Sequence, residues 1–491
     1  MNGHGGRLTR RTLLRRAGVG ASAAISARGI YEGLESLGLV APNRAEAAVV
    51  RRREEQYLVE GIQVILDNGI TVAIPPIYND MITARLAGGR TWSSTALKSA
   101  RSRLEDALRR IEAPYPATAA GLTIVVAWGL PYFRDFVPAL WKTYGPVDKA
   151  TTTNPADPQF AVLDAIRFPS DPPRGADDTR STVLESNDVV FKIRSDSQDI
   201  VREAERQLFE DRTSRAYVGD LFQLTSKRIG FVGRGFGGPN VGRELAVQAG
   251  VPGADLIPPR AQLMMGFTST QPAALGPDNI ASFETLPGVT NQWPSGYFAA
   301  GCAMHVSHLT LDLDGWYQQD YSTRVGRMFS PHTPVPADTG TVTISNGPAD
   351  VTSRAQLDAD ASGGTLGHNG TLQQATRLKT DVTDNYGRVR KQGTAVPIRE
   401  DFNTIDNPFA WPDSGTGAAA GLHFAVFVPA SRLFHAARLA MDGVLPDGTN
   451  LRSQVPDAHN GINTFMTATH RQNFLVPPRS RRSFPLVDLL R

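Results

Sequence analysis

The sequence predicts an α+β fold, an antiparallel sheet with helices on one face. Three observations predict it. Apolar runs of strand length are followed closely by segments whose apolar residues recur at helical spacing. In the first half the order is strand–helix–strand and then strand–helix. In the second half, strand then helix at 421–445 echoes strand then helix at 187–209. That order is the ferredoxin-like arrangement.

The elements follow in chain order. "GIQVILDNGITVAIPPIY" (61–78) reads as extended structure broken at Asp67-Asn68-Gly69, a turn signal. "WSSTALKSARSRLEDALRRI" (92–111) is a helix. Ala96, Ala100, Leu104, Ala107, Leu108 and Ile111 share its apolar side, and Ser93 or Ser94 caps it. "GLTIVVAWGL" (121–130) is a buried strand. Residues 145–180 are rich in Pro, Asp and Thr and read as a long loop. Residues 187–211 give an alternating strand and then a helix capped by Asp196 or Ser197. Further on, "QLMMGF" (262–267) and 297–313 are apolar extended runs on either side of a Gly/Pro/Asn loop. Residues 333–365 lack periodicity and form a long excursion. "GLHFAVFV" (421–428) is a strand and "SRLFHAARLAMDGVL" (431–445) a helix.

The chain has 491 residues, enough for two or three domains, and its 41% hydrophobic content allows a sizeable core. Its 51 basic and 48 acidic residues leave a charge of +3, which argues against a dedicated nucleic-acid binder. Cys302 is the only cysteine, so no intrachain disulfide forms. At the N-terminus, Arg10 and Arg11 precede a weakly apolar stretch, 17–30, and Ala45 and Ala47 make an A-x-A cleavage pattern. This order of basic, apolar and small residues describes a secretory signal rather than a membrane span. The pair in Thr9-Arg10-Arg11-Thr12-Leu13-Leu14 resembles a twin-arginine signal, a route that carries folded proteins. The expected mature chain begins near Val49, is soluble, and lies outside the cytoplasm or at the cell envelope. No later segment reaches the ~18 apolar residues of a membrane span.

Four motifs invite chemistry. His305 and His308 would share a face on a helix, but their surroundings alternate in the strand manner, which puts them on opposite faces. Gly233-x-Gly235-x-x-Gly238 follows a short strand and meets Pro239, so it reads as a flexible loop rather than a dinucleotide site. The G-x-S-x-G elbow of Ser hydrolases does not occur, and nothing in the sequence pairs a serine with a histidine. Cys302 reads as a small buried residue.

In order, these segments resemble the dye-decolorising (DyP-type) haem peroxidases. "GLTIVVAWGLPYF" is similar to that family's central strand and turn. "GCAMHVSHLTLDLDGW" resembles its strand-to-helix pattern, with Gly301, Asp312, Leu313 and Trp316 on the fixed points. "STRVGR" is similar to its Ile-Gly-Arg, and "GLHFAVFVPASRLFHAARLA" with "NFLVPPR" to its closing strand, helix and end. The resemblance covers most of residues 55–480. It implies two ferredoxin-like halves of the dimeric α+β barrel type, 49–220 and 221–491, after a signal at 1–48, with antiparallel sheets and helices on the outer faces. It implies a haem b in the second half and hydrogen peroxide acting on an organic small molecule. A homo-oligomer is left open.

The resemblance also assigns residues. His368 falls about where the axial histidine belongs, with His332 as the runner-up. Arg327 stands for the distal guanidinium that stabilises charge as the O–O bond breaks. His308 stands where the family often carries an arginine near the haem carboxylates, and Cys302 is not an iron ligand. The family's Gly-Phe-Lys-Asp-Gly-Thr appears as "GFTSTQ", so Ser269 replaces the distal aspartate, and a hydroxyl cannot take the proton that a carboxylate would. The implied function is an exported peroxidase-like oxidoreductase. The alternative is a non-catalytic haem- or ligand-binding protein on the same scaffold.

Overall fold

The computed structural model describes residues 52–67, 70–89, 91–233, 240–259, 261–267, 280–334, 351–405 and 418–491. Residues 1–48, with the twin-arginine expectation, and Ser269 lie outside them. A hairpin of Gln63–Asp67 and Ile70–Ile74 opens the described chain. The first half then contributes β1 (Tyr78–Leu86), α1 (Ser94–Glu112), β2 (Thr123–Gly129), β3 (Val189–Ser195), α2 (Gln198–Glu205) and β4 (Phe222–Phe231). The second contributes β5 (Cys302–Leu311), α3 (Tyr321–Met328), α4 (His368–Thr376), β6 (Phe402–Thr404), β7 (Gly421–Val428), α5 (Ser431–Met441) and β8 (Met466–Val476).

Local chemistry explains these elements. In α1, Ser93 accepts from the Ala96 amide, and Leu97, Ala100, Leu104, Ala107, Leu108 and Ile111 form a buried stripe. Asp320 caps α3 by accepting from the Thr323 amide. Asp312 caps the short helix Leu313–Gln318, where β5 breaks off and Trp316 becomes buried. Every residue of β2 and β3 is buried, because helices cover one face of the sheet and the other faces inward.

Each half has the ferredoxin-like strand order. The first runs β4-β1-β3-β2 and the second β8-β5-β7-β6, all neighbours antiparallel. The halves join at two seams. β8 meets β2 at Phe474–Gly129 and Leu475–Trp128, and β6 meets β4 at Asn403–Phe231. The eight strands therefore close into a barrel, which leaves no open sheet edge between the halves. Two apolar layers result. Outward residues such as Ile82, Trp128, Phe191 and Val426 pack under the helices. Inward residues such as Met81, Val125, Val190, Met304, Phe427 and Phe474 fill the barrel.

Some expectations need correction. The boundary at 220/221 cuts off β4, which pairs with β1 along its length and completes the first half. Residues 262–267 form turns rather than a strand, as Gly266 takes a positive φ of 86°. The 333–365 excursion contains a helix, Arg354–Ser362, held by a reciprocal Ser353–Gln356 capping box. Among the described residues no helix is long and apolar enough to cross a membrane.

Candidate functional site

Two cavities adjoin around the start of α4. The larger, about 500 Å³, is walled by the apolar residues Tyr57, Ile62, Val232, Phe267 and Phe329, with Arg53, Arg377 and Arg388 among them. The narrower, about 180 Å³, lies between the outer face of β5, β7 and β8 and helices α4 and α5. His368, Leu372, Thr376, Arg399 and Asp401 line both.

His368 is the first residue of α4, and its placement follows from its neighbours. The Gly370 amide donates to the Phe329 carbonyl at the end of α3 (2.8 Å). A side chain at Gly367 would collide with that same carbonyl, so only glycine lets the two helix ends meet. His368 is half-buried, and its Nδ1 is enclosed with no hydrogen-bond partner among the described residues. Burial, then the positive charges of Arg399 and Arg438, hold its pKa well below the ordinary imidazole value. The ring is therefore neutral and keeps a lone pair for a ligand.

A second wall comes from the segment 398–403. Ile398 and Arg399 pair with Phe427 and Val426 of β7. Alternation sends Ile398 and Phe402 into the barrel and leaves Arg399, Asp401 and Asn403 facing the narrower cavity. Arg399 Nε lies 2.9 Å from Asp401 Oδ1, with Asp401 buried and Arg399 at the mouth. Between them, Glu400 turns inward to Lys192 (2.8 Å) and Arg194. The site thus offers an imidazole, a guanidinium and a carboxylate on one pair of adjoining cavities. Sequence reading missed Arg399 and Asp401. The signal was the period of two across Arg399, Asp401 and Asn403, obscured because the strand is two residues long.

The other assigned residues lie elsewhere. Arg327 lines neither cavity. It donates to the Ala458 carbonyl and sits over the Phe465 ring at 5.5 Å, because α3 turns that side toward residues 458–465. His308 points into the barrel, where its Nδ1 meets Thr469 Oγ1 (2.6 Å) and its ring lies 5.0 Å from His423. Strand alternation puts it on the face opposite the cavities. His332 is exposed and engages Ser330 (2.8 Å) and Asp360 (3.2 Å), away from both cavities. Cys302 is buried in the barrel, and burial raises its thiol well above the ordinary range. His305, two residues from Ser307 on β5, faces α5 and stacks on Phe434 with centroids 3.6 Å apart.

Known proteins give the following comparisons. Among curated proteins, none matches. Among solved structures, the chain is similar to the encapsulated DyP-type peroxidase from Mycobacterium smegmatis, with 14% identity, TM-score 0.47, and 84% of this chain and 96% of that one covered. It is similar to DyPB from Rhodococcus jostii RHA1, with 15% identity, TM-score 0.45, and 83% and 95% covered. It is also similar to a putative dyp-type peroxidase from Shewanella oneidensis, with 12% identity, TM-score 0.43, and 83% and 94% covered. A family model matches residues 163–478, nearly two thirds of the sequence, and by that match the chain belongs to DUF7405, a family of unknown function.

Proposed function

We propose that the chain is an exported haem protein, a peroxidase-like oxidoreductase whose cofactor would lie in the larger cavity, with His368 as the residue that would hold its iron. One observation carries the reading: the neutral His368 ring, with an enclosed and unpartnered Nδ1, on the wall of a large cavity. The residues fit the group. Tyr57, Ile62, Val232, Phe267 and Phe329 suit a porphyrin's faces, and Arg377 and Arg388 suit its two carboxylates, while Arg53 is already paired with Glu60. About 500 Å³ is within the usual range for a ligand pocket, whereas about 180 Å³ is below it.

A haem held there supplies oxidation of an organic small molecule by hydrogen peroxide. The chain's own residues supply the rest. Asp401 accepts a proton from an acidic substrate oxygen and returns it, the work denied to a serine at 269. Arg399 stabilises negative charge beside it. One observation favours a binding protein without turnover: Asp401 and Arg399 already satisfy each other at 2.9 Å.

The test is a haemin titration of the purified chain followed by absorption. A Soret band in the wild type that is lost in His368→Ala is expected. No band in the wild type ends the proposal, and a band unchanged in His368→Ala ends the ligand assignment. Peroxide-dependent dye oxidation then separates the two readings. Asp401→Asn lowers it about 10²–10⁴-fold if the carboxylate moves the proton. A haem-loaded wild type with no turnover leaves the binding protein.

A further inference from the structure

The narrower cavity carries a constellation that the haem reading does not use. His305 and Ser307 lie on the same face of β5, and Asn473 of β8 stands opposite His305. His305 Nδ1 is 2.7 Å from Asn473 Oδ1, and His305 Nε2 is within hydrogen-bond distance of Ser307 Oγ. The directions of these bonds are fixed. Asn473 Nδ2 donates to the Leu163 carbonyl (2.8 Å), so Oδ1 is the atom that faces the ring. An amide oxygen only accepts, so Nδ1 carries the ring proton. Nε2 then holds the lone pair, and the Ser307 hydroxyl donates to it. Phe434 stacks on the imidazole at 17° and fixes its plane. Ser307 itself lines the cavity.

A fourth group completes the set. Arg471 pairs with Ser307 across β8 and β5 and lines the same cavity. Its terminal nitrogens are committed to Asp171 (2.6 Å) and to the Ile166 carbonyl (3.1 Å). Its Nε is buried and has no partner among the described residues. An N–H without an acceptor, on the residue paired with Ser307 and lining the same cavity, can receive a developing oxyanion.

The geometry points to a Ser307–His305–Asn473 acyl-transfer site, with the Arg471 Nε–H as oxyanion donor, that hydrolyses esters of apolar acids. Ser307 Oγ attacks the ester carbonyl carbon and forms a C–O bond while its proton passes to His305 Nε2. The negative charge on the former carbonyl oxygen is held by the Arg471 N–H. The bond to the alcohol oxygen then breaks, and Nε2 returns the proton to the departing alcohol. Water repeats the sequence on the acyl-serine and releases the acid. The substrate class follows from the walls. Leu309, Phe424, Phe434 and Met466 enclose about 180 Å³, the size of a ring or short acyl chain. Burial and then Arg471, with His435 and Arg438, lower the His305 pKa against the Asn473 hydrogen bond, which raises it, so the ring is neutral and its Nε2 lone pair meets the Ser307 hydroxyl.

The proposal stands on residues separate from His368, so the two readings fail separately. The full chain is treated with a fluorophosphonate probe, digested and mapped by mass, and hydrolysis of p-nitrophenyl butyrate is followed. A single label on Ser307 is expected. Ser307→Ala should lose the label and slow hydrolysis about 10²-fold or more, and Asn473→Asp should speed it, because a carboxylate steadies the imidazolium better than an amide does. A label on another residue, no label on the folded wild type, or unchanged hydrolysis in Ser307→Ala would each overturn the proposal. Mapping the wild type decides the matter even if a variant fails to fold. The Soret band is read on the same samples. Its absence with Ser307 labelled ends the haem reading alone, and its presence with no label ends this one alone.

Discussion

Glu400, on the wall of the larger cavity, is the residue whose loss should cost most in stability. Its carboxylate sits inside the barrel with Lys192 Nζ at 2.8 Å and the Arg194 guanidinium beside it, and the two cations are fully enclosed. At an effective dielectric of 20 the Lys192 contact alone is worth about 6 kcal/mol of attraction. Glu400→Gln removes that attraction but leaves both cations in place, and breaking a buried pair in this way costs about 3–5 kcal/mol. Burial pushes the Glu400 carboxyl up, but Arg194 and then Lys192 outweigh it and the net shift is down. Lys192 is lowered, chiefly by burial, with Glu400 pulling it back up. Without Glu400 the lysine drops further, so the folded variant sheds its proton at a lower pH than the wild type. Between those two values the unfolded chain binds more protons than the folded variant, so the variant's stability rises with pH. Urea unfolding followed by tryptophan fluorescence should therefore show a deficit of about 3–5 kcal/mol near pH 7 that narrows between pH 6 and 9. A deficit below about 1 kcal/mol, the same at every pH, would refute the idea that charge compensation holds this end of the barrel together.

Two further outcomes test the barrel. Gly230 lies where β4 meets β6, and a side chain there would run into the Asn403 carbonyl. Gly230→Ala should cost about 1–3 kcal/mol or more by prising that seam apart, measured by thermal unfolding; an unchanged melting temperature would show that the seam carries no load. Cys302 should resist a thiol reagent in the native chain and react on unfolding, since burial raises its thiol and closes access to it. Reaction within minutes in native buffer would mean that the barrel opens readily.

How much of this was legible in the sequence depended on length and period. α1, β2, β3, β5, β7 and α5 were readable because each holds its pattern over seven or more residues. β6 was invisible at three residues, and β4 was hidden because its middle is exposed. That one omission misplaced the domain boundary. His368 was chosen only through a family likeness, since "GHNG" reads as a turn; the glycines are there because Gly367 meets the Phe329 carbonyl and the Gly370 amide donates to it. Arg327 was chosen for its neighbours in sequence, whereas Arg399 is the guanidinium that lines both cavities with His368. The pairing of Ser307 with His305 was missed in the sequence, although the two stand two residues apart on a strand. Its third member, Asn473, is 168 positions away and arrives only through the β5–β8 register.

That register explains why β5 presents one set of residues to the barrel and another to the narrower cavity. Along β5, Cys302, Met304, Val306 and His308 point into the barrel, where Met81, Val125 and Phe474 surround the first three. Ala303, His305, Ser307 and Leu309 point the other way, toward α5 and the narrower cavity. A slip of one residue would exchange the sets. His308 and Val306 would then take the places of Ser307 and His305, and the hydroxyl would take the inward place of Val306 instead of facing the cavity. The barrel filling prevents this, because Met304 and Val306 cannot leave the interior without exposing it. The inward layer of the sheet thus sets the position of every polar atom on its outward face, and the closure of eight strands, rather than any local motif, aims Ser307, Arg471 and Arg399 at the cavities.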